Sequence, residues 1–193
     1  MYKLNRLRRR IKFRYADSLH MRRKKQAKNI RSVLSGIEGA GRKLSYLRKI
    51  NPFAFEEMIL DSFEEKGFRV IRNHRYTGDG GIDGKVIING EIFLIQAKRY
   101  TGYIQAEHVR NFEEILLKHN KKGFFCHTGK TGIASRNIVL SSDSVIMISG
   151  GKLIELLEFK KEISTFPPKS NSFIFFIFGF LALLASMCYV LFF

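Results

Sequence analysis

Apolar positions recur along this chain at two periods, near 3.6 and near 2, and the places where one gives way to the other mark its elements. Leu4, Leu7 and Ile11 sit at helical spacing among arginines and lysines, and Ile30, Val33, Leu34 and Ile37 repeat that spacing. Residues 1–50 therefore read as a broken, basic, amphipathic helical arm. Gly36, Gly39 and Gly41 crowd residues 35–41 and predict a flexible joint there, so the domain boundary is expected near residue 50. Beyond it Phe55, Met58, Ile59, Ser62 and Phe63 keep the helical period until Gly67, which predicts a helix over about 53–66 with a glycine stop.

Short apolar runs follow at 68–72 and 85–88, with a longer one at 91–99. The last two are joined by Asn89-Gly90, a hairpin signal. A helix is expected over about 105–118, strands at 123–127 and 145–149 with a helix near 131–141 between them, and a closing helix at 152–159. Strands interleaved with helices predict an α/β domain over 51–165, with a mixed sheet covered by helices. Pro167-Pro168 ends that domain, since neither residue can continue a helix or pair in a sheet centre. Residues 173–193 hold 21 residues without a charge. At ~1.5 Å per residue they span about 31 Å, the thickness of a bilayer core, and no polar face marks them as a core helix. A single transmembrane helix is expected there.

Charge sharpens this division. The chain carries +17 formally, and residues 1–50 hold 17 Lys and Arg against Asp17 and Glu38, while the rest holds 17 basic against 15 acidic residues. Such asymmetry is expected of chains that meet phosphate, in nucleic acid or in anionic lipid. Lys160, Lys161 and Lys169 flank the apolar span on one side only, so the positive-inside rule puts the domain in the cytoplasm. With the span running to Phe193, little remains to cross. Cys126 and Cys188 stand far apart, which excludes a disulfide framework and a zinc site and fits a reducing compartment. A metal, if bound, is held by oxygen.

The informative stretch is Thr77-Gly78-Asp79-Gly80-Gly81-Ile82-Asp83-Gly84, followed by Gln96-Ala97-Lys98. Side chains alternate on a strand, so Gln96 and Lys98 share one face while Ile95 and Ala97 share the other. Two polar groups ending an apolar run suit a site better than a core. A carboxylate and an amide oxygen suit Mg²⁺, and an ammonium nearby can hold negative charge developing on a phosphate. Singly, each residue has a plainer explanation: Asp79 and Asp83 among glycines as turn residues, Lys98 as a solvated strand end, Glu56 and Glu57 as first-turn helix acids.

Together, Phe55-Glu56, Gly67-Phe68, the glycine-rich stretch and Gln96-Ala97-Lys98-Arg99-Tyr100 resemble, in order and spacing, the Mrr-like restriction endonuclease catalytic domain of the PD-(D/E)xK nuclease superfamily, over about residues 52–158. The resemblance implies a restriction-endonuclease-like fold and Mg²⁺-dependent hydrolysis of DNA, in restriction of foreign or modified DNA. It implies Asp83, Gln96 and Glu56 as metal ligands and Lys98 as the catalytic lysine. Gln96 departs from the superfamily's acidic residue, though it is usual in Mrr-like members, and leaves more for Glu56 and the Ala97 carbonyl to supply. Glu56 is preferred over Glu57 through the Phe-Glu pairing alone.

Thr128 to Gly132 lacks the spacing of a phosphate loop and reads as a strand-to-helix loop, while Cys126 and His127 point oppositely on a strand and form no dyad. His74 and Arg75 are candidates for substrate contact. DNA, a membrane and a second copy of the chain are the expected partners. Two other readings stay open: an inactive nucleic-acid-binding module, and a membrane scaffold whose arm binds anionic lipid.

Overall fold

The computed structural model describes residues 20–73 and 81–158. Helix α1 occupies 20–35, and it is followed by α2 (Ala40–Leu47), α3 (Pro52–Glu65), β1 (Arg69–Arg72), β2 (Gly84–Ile88), β3 (Glu91–Lys98), α4 (Ala106–Lys118), β4 (Lys122–His127), α5 (Ile133–Ser141), β5 (Val145–Ser149) and α6 (Gly150–Glu158). The five strands form one sheet in the order β1-β2-β3-β4-β5. The first three are antiparallel, and β3-β4 and β4-β5 are parallel, each pair bridged by a helix. The expected mixed sheet covered by helices is present.

Local chemistry explains the first half of this order. Asn51 caps α3 by accepting from the Phe53 and Ala54 amides at 2.9 and 3.3 Å, with Pro52 preset in the first turn, a cap worth about 1 kcal/mol. The helix ends where Gly67 takes φ +89° and the amides of Gly67 and Phe68 return to the carbonyls of Glu64 and Phe63. Asn89 and Gly90 both have positive φ, 53° and 83°, which matches the right-handed twist of the hairpin they close. That turn fixes the register Gly84 to Ile95 through Ile88 to Glu91.

Alternation divides β3 and β4 between two cores. Phe93, Ile95, Ala97, Phe124 and Cys126 join α3 and α6, whereas Leu94 and Phe125 join Val109, Phe112 and Leu116 of α4. Ala27, Ile30, Leu34, Leu47 and Ile50 belong to the first of these cores. The division expected near residue 50 thus runs through continuous packing, and the joint expected over 35–41 is a short turn, 36–39, between α1 and α2. Burying three α1 side chains on one stripe binds the arm's second half to the domain.

Charge cements the same contact. His20 Nδ1 lies 3.1 Å from Glu57, Lys24 lies 3.8 Å from Asp61, and Arg31 pairs with Glu65, so the two helices run the same way with acids and bases in step. Among the described residues no helix is long and apolar enough to cross a membrane, and the span expected over 173–193 lies outside them. So do residues 1–19, His74, Arg75 and Asp79.

Cys126 faces the α3 core and His127 the opposite side, as alternation requires. His127 is fully buried, and burial pushes its imidazole down to about 4 from an ordinary 6.5. A depressed folded value means the unfolded chain binds the proton first. Stability from the neutral ring is therefore complete above pH ~6.5 and is lost as pH falls toward 4, by up to about 3 kcal/mol. Urea unfolding at pH 7 and pH 4.5 should show this slope in the native chain and a shallower one in His127→Gln.

Candidate active site

The antiparallel register sets the residue before β2 against the end of β3. Asp83 donates its amide to the Ile95 carbonyl at 2.8 Å, and its Oδ2 accepts from the Ala97 amide at 2.6 Å. The carboxylate is thereby fixed by backbone at the strand end where Gln96 and Lys98 emerge. Burial raises its pKa to about 6, against the lowering pull of the Ala97 bond and of Lys98.

Gln96 is only 5% exposed, and its Nε2 donates to the Gly81 carbonyl at 2.7 Å. Its Oε1 is buried without a hydrogen-bond partner among the described residues. A buried acceptor left unsatisfied costs roughly 1–3 kcal/mol, so the amide oxygen is held at the site against its own solvation. Gly81 makes this possible: it has φ +89°, and a Cβ there would stand 2.4 Å from Gln96 Nε2. Gly81→Ala should therefore displace Gln96 and lower the nuclease activity that the resemblance implies by about tenfold to a hundredfold, with a cost to stability of only ~1 kcal/mol. Steady-state cleavage beside a urea titration would read both, and unchanged cleavage would dismiss the positioning role.

Glu56, in the second turn of α3, completes the cluster. Its pKa rises to about 8, first through burial and then through the negative charge of Asp83, while Arg23 and Lys98 oppose the rise. Glu57 faces another way. It is 2% exposed and accepts from Arg72 Nε at 3.3 Å beside His20. The choice of Glu56 over Glu57 thus acquires a physical reason: Glu57 is committed to an ion cluster, and Glu56 is left to Asp83 and Lys98. Glu56, Asp83 and Lys98 act on one another's charge, and Gln96 lies two residues before Lys98 at the same end of the sheet.

The structure adds groups that no spacing revealed. Arg23 reaches this corner from α1, its guanidinium 3.9 Å from the Phe53 ring centroid and one helical turn from Glu56. As one of 17 basic residues in the first 50, it carried no signal of its own. The Gly81 carbonyl and the Ala97 amide are backbone groups and equally silent.

Among the described residues no group of three or more His, Cys, Asp or Glu side chains is set to hold a metal ion. The oxygen donors gathered here are two carboxylates and an amide. Burial opposes the ionisation of both carboxylates, and a bound cation would favour it. That donor set fits a hard divalent cation which keeps part of its water shell.

A family model described as a restriction endonuclease, that of the Mrr catalytic domain, matches residues 47–157, more than half of the 193-residue chain. The chain belongs to that family, and its domain is that of a restriction-type nuclease, for which DNA is the implied substrate. Neither the curated proteins nor the solved structures yield a match. Helix α1, which brings Arg23, lies outside the matched segment.

Proposed function

We propose that this chain is a membrane-tethered endonuclease that hydrolyses DNA phosphodiester bonds with Mg²⁺ held by Asp83, Gln96 and Glu56. The observation that carries the reading is the buried Gln96 Oε1, without a partner among the described residues, at the strand end that also fixes Asp83 and presents Lys98. When bound, the divalent ion would lower the pKa of a coordinated water and offset charge on the scissile phosphate.

The chain's own residues do the rest. Asp83 is aimed by the Ala97 amide and Gln96 by the Gly81 carbonyl, so neither has to reorganise as substrate arrives. The Lys98 ammonium, which acts on both carboxylates, stabilises negative charge developing on the phosphate or holds the attacking water. Basic residues of the segment 1–19 contact flanking phosphates, and restriction of foreign or modified DNA is the biological role proposed for the activity. The apolar segment 173–193 anchors the domain on the cytoplasmic side, where DNA and Mg²⁺ both occur.

Plasmid cleavage by the full chain in detergent, with Mg²⁺ and with EDTA, tests the chemistry. Cleavage that requires Mg²⁺ is the expected result. Equal cleavage in EDTA would remove the metal role, and no cleavage of methylated or unmethylated plasmid would remove the nuclease. Protease digestion of the domain from outside intact cells would reverse the topology.

A further inference from the structure

Two loops leave the sheet at the end where Gln96 and Lys98 lie: residues 99–105 after β3 and 128–132 after β4. They are locked together. The Lys130 amide donates to the Gly102 carbonyl at 2.9 Å, and the Ile104 amide donates back to the Lys130 carbonyl at 3.0 Å. Thr128 Oγ1 accepts from the Tyr100 amide and donates to the Tyr100 carbonyl, both at 2.9 Å. A Cβ at Gly129 would lie 2.7 Å from the Gly102 carbonyl oxygen and 2.8 Å from Tyr100 Cβ, so the backbones touch.

On this rigid base the Tyr103 ring is 67% exposed, and Lys130 Nζ lies 5.7 Å from its centroid. Scattered exposed apolar side chains need no explanation in general. Three facts set this one apart: its backbone is held by hydrogen bonds, a cation stands over one face of its ring, and both sit on loops at the carboxyl end of the strand that carries Lys98. An exposed π-face with an adjoining ammonium matches a nucleobase and its phosphate.

We propose that Tyr103 and Lys130 form a base-stacking subsite, in which an unstacked base of the DNA substrate lies on the Tyr103 ring and Lys130 holds an adjoining phosphate. The proposal rests on the nuclease reading and names the form of its substrate. DNA with an unpaired base near the cut, such as gapped or mismatched DNA, binds more tightly than perfect duplex.

The test measures binding of the full chain in detergent, in EDTA to prevent cleavage, to a gapped and an intact duplex of the same sequence. The native protein prefers the gapped form by about tenfold, the scale of one base stacked on one aromatic ring. Tyr103→Phe keeps the preference, Tyr103→Ala loses it with duplex affinity unchanged, and Lys130→Ala lowers the salt slope by about one. Circular dichroism checks that the variants are folded. Equal affinity of the native protein for both forms overturns the proposal, as does a Tyr103→Ala variant that retains the preference or weakens both forms alike. In each case Mg²⁺-dependent plasmid cleavage still stands. A native chain that neither binds nor cleaves DNA overturns the nuclease reading and this subsite together.

Discussion

DNA cleavage should fall on the order of 10³-fold when Asp83 is replaced by Asn, roughly 4 kcal/mol of lost transition-state stabilisation at 1.36 kcal/mol per tenfold. The substitution is chosen because it is nearly isosteric. An Asn oxygen can still accept from the Ala97 amide that fixes the native carboxylate at 2.6 Å, so the β2–β3 corner keeps its shape while one negative charge disappears. Removing that charge from a buried position weakens the hold on a divalent cation directly. DNA affinity should change little, since one fewer anion near the phosphates repels them less, not more. Single-turnover cleavage together with equilibrium DNA binding separates these effects. Cleavage within a few-fold of native would remove Asp83 from the chemistry.

The parts of this site that were legible in the sequence are those built by short-range rules. Asn89-Gly90 dictates a two-residue hairpin, the hairpin dictates register, and register alone places Asp83 opposite Gln96 and Ala97. Strand alternation then puts Gln96 and Lys98 on one face, and it also separates Cys126 from His127. Helix α3 was equally plain, because its period and its glycine stop are set by residues within it or next to it.

The rest depends on partners distant in the chain. Helix α1 reads in sequence as part of a basic, amphipathic arm for phosphate because its basic residues dominate its composition. Yet His20, Lys24 and Arg31 meet Glu57, Asp61 and Glu65 of α3, and Ala27, Ile30 and Leu34 are buried. Nothing in a run of lysines and arginines says which will meet a carboxylate and which a phosphate. Helix α2 was hidden for a local reason: Gly39, Ala40 and Gly41 read as a joint, but Gly39 with φ +82° only introduces the helix that Ala40 and Gly41 begin. The arm's charge excess therefore overstates what is left for DNA, since part of it is spent inside the domain.

The same ion cluster carries the largest expected effect on stability. Arg72, at the end of β1, donates to Glu57 at 3.3 Å, to Asp61 at 2.6 Å and to Glu64 at 2.7 Å, so one guanidinium serves three carboxylates. The members are not equal. Lys24–Asp61 at 3.8 Å is partly exposed and contributes at most about 1 kcal/mol. Glu57 is almost wholly buried and Arg72 mostly so, and breaking such a pair from one side typically costs ~3–5 kcal/mol because a charge is stranded away from water. Burial raises the Asp61 pKa even with Arg72 bound, so Asp61 can shed its charge by taking up a proton and loses less. Arg72→Met should therefore destabilise the protein by about 3–5 kcal/mol, a large share of the 5–15 kcal/mol typical of a folded domain. Adding Glu57→Gln to that variant removes the buried charge that Arg72 no longer offsets, and should recover part of the loss. Urea unfolding of the native, single and double variants measures the cycle. If the double variant is no more stable than Arg72→Met, the loss belongs to the packing of the guanidinium stem and not to the buried charge.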